Sequence, residues 1–164
     1  MKQKNKVILQ ALNVKKFFKK DSKHHLVLDH IDFSLFENEI VCLLGKSGSG
    51  KSTFLRIISG LTQPNEGQIT WHGEPINKPI PGISMVFQNF ALLPWLSVLQ
   101  NVSLGLDALN LPEEEKRQRA LTAIDQVGMD GFESAYPREL SGGMCQRVGI
   151  ARAMAADPIV MLMD

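Results

Sequence analysis

Cysteine is scarce in this chain, net charge is nearly absent, and no long apolar run occurs. Each absence excludes something. Cys42 and Cys145 lie far apart, so they make neither a metal-site spacing nor a disulfide framework, and they suit a reducing cytoplasm. A net charge of +1 provides no strong field for nucleic acid or a membrane surface, and no nucleic-acid partner is expected. No run approaches the ~20 apolar residues of a membrane span. The basic start, Met1 to Lys6, is followed by Val7-Ile8-Leu9 and at once by Gln10, too short for a signal-peptide core. Work at a membrane would therefore go through partners. There is no internal repeat and no low-complexity tract. What remains is ordinary: 164 residues, 44% apolar and 21% charged, the size and balance of one globular domain.

The informative stretch is Gly45-Lys46-Ser47-Gly48-Ser49-Gly50-Lys51-Ser52-Thr53. It satisfies G-x-x-x-x-G-K-[ST] at every fixed position. Ile40 to Leu44 before it predicts a strand, and Phe54, Ile57, Ile58 and Leu61 after it predict a helix buried on one face. Strand, glycine loop and helix together aim backbone N–H groups at phosphate oxygens. Lys51 is a cation for the β- and γ-phosphates, and Ser52 offers a hydroxyl to Mg²⁺. The competing reading, a glycine turn that binds nothing, does not account for pattern and context together.

Taken in order, Val7 to Val14 predicts a strand, Lys15 to His25 a polar hairpin loop, and Leu26 to Phe36 a second strand with a slip near Asp29-His30. Phe17 and Phe18 serve either hairpin packing or an adenine platform. Gln68 to Trp71 and Ile83 to Phe87 predict strands, the latter buried and ending at Gln88. Asn89 to Val102 is denser in apolar residues than one helix face needs. It is ordinary core or a protein-docking surface around Pro94-Trp95. Leu111 to Val127 predicts an amphipathic helix with Pro112 in its first turn and ion pairs Glu113–Arg117 and Glu115–Arg119. A further helix carries Met144, Val148, Ala151 and Ala155 inward. Ile159 to Met163 predicts a buried strand.

Asp164 follows that strand, where a phosphate-loop protein holds Mg²⁺. Ser141-Gly142-Gly143 opens a helix and reads either as a serine cap with turn glycines or as a second anion cradle. One nucleotide rarely needs two cradles, so the second is assigned to the nucleotide of another subunit.

With these residues the chain resembles the ATP-binding subunit of ABC transporters. Gly45 to Ser52 matches Walker A, Gln88 the Q-loop, Leu140 to Arg147 the signature motif, and Ile159 to Asp164 Walker B. Cys145 departs at a variable position, and Asn38 stands where glycine is usual. Val86-Phe87-Gln88, Leu92 to Leu96 with Pro94-Trp95, and Asn101-Val102 look like importers of the nitrate, sulfonate and taurine type.

The resemblance implies an α/β fold: a RecA-like P-loop core, an antiparallel β subdomain and a helical signature subdomain. It divides the chain into 1–88, 89–156 and 157–164, an incomplete single domain. It implies a head-to-tail homodimer with ATP and Mg²⁺ between Walker A of one copy and Ser141, Gly142, Gly143 and Gln146 of the other. Phe18, with Phe17 as alternative, would stack on adenine, and Gly45 to Thr53 would hold ATP. Ser52, Gln88 and Asp164 would hold the metal, with Gln88 and Lys51 in the catalytic roles. A membrane permease would dock at Phe90, Leu92, Leu93 and Trp95, with a solute-binding protein acting indirectly, all at the cytoplasmic face. The glutamate base, D-loop and switch histidine that follow Walker B in the family are not present, and His24, His25, His30 and His72 lie too early. The whole subunit is expected to be an ATP hydrolase that couples hydrolysis to solute import, and this chain, a piece of it, to bind nucleotide at most, with negligible hydrolysis. Alternatives are an ABC-type ATPase with no membrane partner, an inactive nucleotide-binding fragment, and a P-loop kinase or GTPase, the last opposed by the signature octet.

Overall fold

The structure, a computed structural model, describes residues 6–20 and 23–164. It falls into two compact units, one reaching Ile80 and the other running from Pro81 to Asp164.

In the first unit, β1 (Val7–Lys20) and β2 (Lys23–Phe36) form one long antiparallel hairpin. β3 (Glu66–Trp71) joins the other edge of β1, and β4 (Glu74–Pro75) completes the order β2-β1-β3-β4. Leu9, Ala11 and Val14 are fully buried, and the period of two breaks between the last pair. The break is a bulge: Asn13 has φ 52°, the register shifts on both sides of Val14, and His30 across the ladder has φ 48°. This is the slip expected at Asp29-His30. The expected Lys15–His25 loop is corrected, because both strands run on through it and its tip lies outside the described residues. Cross-strand pairs explain why. Phe17 faces Leu26, Phe18 faces His25, and the Phe17 ring stacks on His24 at 4.8 Å.

The strand expected at Ile40–Leu44 is also corrected: the segment has no regular structure, and Ile40 and Leu44 are 95% and 92% exposed. Apolar, β-branched residues form a strand only against a partner ladder, and none of the described residues pairs with these. After the glycine loop, α1 (Lys51–Ile58) buries Phe54, Leu55, Ile57 and Ile58, and Phe54 meets Phe33 edge-on at 5.5 Å. Leu61 lies past the helix end and is exposed, against expectation. Gly60 ends the turn at φ 77°, where a Cβ would sit 2.5 Å from the Lys78 carbonyl.

In the second unit, β5 (Ile83–Val86) and β6 (Val160–Met163) run parallel. Three helices pack together: α2 (Val98–Ser103), α3 (Glu113–Gln126) and α4 (Gly142–Ala155). Their core holds Val98, Val102, Leu106, Ala120, Ile124, Met129, Val148 and Ala151. The expected stripe of α4 is present, with Met144 only half-buried. Both strands are less buried than expected, since among the described residues each has a partner on one side only. Ile159 and Met163 are exposed, and within β5 only Val86 is buried. In α3, Pro112 is the N-cap, one residue outside the helix. Glu115 pairs with Arg119 at 2.7 Å as expected. Glu113 instead meets Lys116 at 2.9 Å, which also reaches Asp107 at 3.5 Å. The i, i+3 cation is therefore shared between two acids.

Asn101 was not anticipated. It is fully buried, accepts from the Leu93 amide at 2.8 Å, and donates to the carbonyls of Leu93, Leu96 and Ser97 at 2.9–3.1 Å. One amide side chain thus ties together backbone groups of Leu93, Leu96 and Ser97, and a capping box between Ser97 and Gln100 joins this loop to α2. Asn101→Ala should lower unfolding free energy by about 2 kcal/mol in urea denaturation, because buried backbone groups lose their partners. An unchanged midpoint would show that water replaces the amide.

Candidate functional site

The phosphate loop is built by close approach and by an uncapped helix. A Cβ on Gly50 would lie 2.9 Å from Leu28 Cδ2 and 3.0 Å from the Val27 carbonyl, and φ is 94°. Only glycine fits there, and its fit seats the loop against β2. A Cβ on Gly45 would meet Ser49 Oγ at 2.6 Å. Inside the loop the Ser49 amide donates to the Lys46 carbonyl at 3.1 Å. The Lys51 ammonium donates to the carbonyls of Gly45 at 2.8 Å and Lys46 at 3.0 Å. The charge is thereby held over the loop, with a third donor beyond these two bonds.

α1 has glycine as its N-cap, no side-chain cap bond and no acid in its first turn. The first amides of a helix need acceptors, and its dipole favours an anion there. α4 likewise has no acid in its first turn; Ser141 caps it by accepting from the Met144 amide at 3.3 Å. α3 is the contrast, with Glu113, Glu114 and Glu115 in its first turn. Both helices opened by glycine motifs leave their positive ends uncompensated by acids, as the short α2 also does.

Gly142 and Gly143 have open space around a Cβ, with no atom within 4 Å. Neither has a left-handed φ. Nothing among the described residues therefore requires glycine at these positions, where it costs helix stability. Gln146 is exposed one turn further along α4.

Gln88 is exposed just past the C-terminal end of β5. The Asp164 amide donates to the Val86 carbonyl at 3.0 Å, and Val86 faces Met163 in the ladder. Gln88 and Asp164 therefore leave the same, carboxyl end of the parallel pair, where open α/β sheets place ligands. Among the described residues no three His, Cys, Asp or Glu side chains gather as a metal site. A magnesium site needs no such cluster, since one or two carboxylates and substrate phosphates suffice.

Of the paired aromatics, Phe17 is committed to His24. Phe18 is 47% exposed, with the Lys16 ammonium 5.3 Å from its ring centroid. Phe18 faces His25, and Gly50 packs on Val27, two residues or roughly 7 Å along β2. Of the docking residues, Trp95 is 68% exposed, while Phe90, Leu92 and Leu93 are half-buried and Leu92 packs on the helical core. Sequence reasoning passed over Arg152. Its guanidinium donates to the carbonyls of Phe90 and Ala91, both at 2.7 Å, and burial pushes its pKa down from the usual value. No helix among the described residues is long and apolar enough to cross a membrane.

Comparison with known proteins agrees with this geometry. The ABC transporter family matches residues 28–164. An uncharacterized ABC transporter ATP-binding protein of Methanocaldococcus jannaschii is 44% identical over 159 residues, 97% of this chain and 60% of that protein. A nitrate import ATP-binding protein of Synechocystis is 46% identical over 85% of this chain and 52% of its own length. A taurine import ATP-binding protein of Rhizobium johnstonii is 47% identical over 84% of this chain and 52% of its own length. The chain thus spans between about half and three fifths of these relatives. A dimeric ATP-binding cassette in a post-hydrolysis state, bound to ADP and Pi, superposes with a TM-score of 0.89 at 35% identity, covering 96% of this chain and 73% of that one. The fold is that of an ABC ATPase cassette built on a P-loop core, and the chain belongs to the ABC transporter family.

Proposed function

We propose that this chain is the ATP-binding part of an importer's energising subunit. It grips Mg-ATP between its own phosphate loop and the Ser141–Gly143 turn of a second copy. The observation that carries the reading is the glycine pair Gly142-Gly143, unneeded by the chain's own packing, at a helix end without acids. Such a surface suits close approach of a phosphate from outside.

In this reading the amides at the start of α1 and the Lys51 ammonium bind the β- and γ-phosphates, and Phe18 stacks on adenine. Ser52, Gln88 and Asp164 would supply hydroxyl, amide and carboxylate oxygens, donor types that fit a hard Mg²⁺ ion. When bound, Mg²⁺ neutralises charge developing on the phosphates. Gln88 orients the attacking water, while Lys51 stabilises charge on the transferred group. The two-copy clamp rests on the dimeric cassette as analogue. The nitrate and taurine relatives support an oxyanion or sulfonate cargo class and a permease partner at the cytoplasmic face. The division into a P-loop core with β subdomain to residue 88, a helical part over 89–156 and a closing strand belongs to the same reading.

Trp95, exposed on a loop that Asn101 holds rigid, is the anchor for the permease. Trp95→Ala should weaken co-purification with the permease about tenfold, as hot-spot aromatics do, and leave ATP binding unchanged. Equal recovery of the permease by both proteins would refute the assignment.

A further inference from the structure

We propose that Arg152 is a positioning residue for Gln88, latching the turn that follows the glutamine to the helix behind the second anion cradle. The inference rests on the Mg-ATP reading for its consequence and on geometry for its substance. Phe90 and Ala91 both have left-handed backbones, with φ 61° and 47°. For residues with a Cβ this conformation is costly and persists only where the surroundings impose it. The turn's own bonds are short-range: the Phe90 amide to the Phe87 carbonyl at 2.9 Å, and the Ala91 amide to the Asn89 carbonyl at 2.7 Å.

The imposing group comes from α4. The planar fork of Arg152 donates one bond to each of the two strained residues' carbonyls, both at 2.7 Å. Its rigid fork offers a separate nitrogen to each carbonyl, where a lysine would have to share one ammonium between them at the end of a flexible stem. Gly105 makes room for the Arg152 backbone, while Gly149 lies in ordinary contact with the turn. A Cβ on Gly105 would lie 2.5 Å from the Arg152 carbonyl and 3.2 Å from its Cγ, and the Phe90 carbonyl passes 3.6 Å from a Cβ on Gly149. Arg152 also forms no ion pair with a carboxylate among the described residues. Its hydrogen bonds are therefore spent on the turn rather than on charge neutralisation. Gln88 sits two residues before the latched pair, at the exit of β5. Ser141 lies at the other end of the helix that carries the latch. A displacement of α4 on binding the second copy's nucleotide thereby reaches Gln88 through two hydrogen bonds.

The test is amide hydrogen exchange on the full chain without nucleotide, comparing wild type, Arg152→Gln, Arg152→Lys and Arg152→Gln/Ala91→Gly. The Phe90 and Ala91 amides should exchange about tenfold faster in Arg152→Gln, as loss of two charge-assisted bonds implies. Amides of Val148 to Ala151 should keep their rates, which separates loss of the latch from general unfolding. Lysine should fail to restore protection. Ala91→Gly, which occupies the left-handed region freely, should restore about half of the loss on a logarithmic scale. A second readout is the ratio of ATP affinities with and without Mg²⁺, which should fall about fivefold in Arg152→Gln while Mg-free binding stays constant. Unchanged exchange at Phe90 and Ala91 overturns the latch. Faster exchange with an unchanged Mg²⁺ ratio overturns its link to Gln88. If wild type binds no ATP, the functional reading fails, and exchange alone still decides the latch.

Discussion

Lys51→Ala should weaken ATP binding about a hundredfold in a fluorescence anisotropy titration, with a melting temperature within about 3 °C of wild type. The two effects separate because the ammonium does different things in the two measurements. Within the protein it bonds two carbonyls of an exposed loop at 2.8 and 3.0 Å, worth about 1 kcal/mol in stability. Toward a triphosphate it is a unit charge some 3–4 Å from oxygens carrying several. At an effective dielectric near 20, one such pair is worth ~4 kcal/mol before desolvation of the ammonium is subtracted. A net ~2.7 kcal/mol corresponds to the hundredfold expected. Lys51→Arg should rescue little, because the bulkier planar guanidinium does not replace a compact point charge folded back onto its own loop. An affinity within threefold of wild type in Lys51→Ala would mean that the loop amides alone hold the nucleotide.

Gly143→Val should have the opposite signature. A Cβ at this position meets nothing within 4 Å, so the isolated chain loses no packing. Valine is also the better helix residue by a few tenths of a kcal/mol. Melting temperature should hold or rise, and ATP affinity of the monomer should stay within twofold. Association of two copies on Mg-ATP should fall by a hundredfold or more, since the added methyls occupy the space a phosphate is proposed to enter. Sedimentation velocity with and without Mg-ATP reads the difference. A loss of thermal stability would assign the glycine to folding instead.

The parts of the fold legible in the chain were those whose chemistry is local. The phosphate loop, the helix after it and the stripe on α4 follow from spacing alone, and the slip in β2 was visible as a broken alternation at Asp29-His30. What failed depended on strand pairing that composition does not reveal. Ile40 to Leu44 has every local mark of a strand yet stays irregular, because strand formation is decided by a ladder and not by propensity. Lys15 to His25 has the composition of a loop and is strand, because Phe17 and Phe18 find cross-strand partners.

The candidate site divides in the same way. Gly45 to Thr53 and Ser141 to Gly143 were readable because glycine, lysine and serine at fixed spacing carry their own geometry. Phe18 over Phe17 became a reasoned choice only once the stacking of Phe17 on His24 was visible. Arg152 was invisible as a support because the Phe90 carbonyl it holds is 62 residues away, and Asn101 because its partners, though only four to eight residues away, are backbone groups that carry no side-chain signal. One signal was overlooked: Ser97-Val98-Leu99-Gln100 is a capping-box pattern that announces α2.

The central claim is that the phosphate loop of one copy and the Ser141–Gly143 turn of another share a nucleotide. Disulfide cross-linking tests it most directly, in a chain with Cys42→Ser and Cys145→Ser as background. Ser49→Cys is placed in one preparation and Ser141→Cys in a second, and the two are mixed under mild oxidation. A cross-linked dimer should form in the mixture with Mg-ATP, and neither preparation alone should give it. A mixture shown by anisotropy to be saturated with ATP, yet free of cross-linked dimer, would contradict the account.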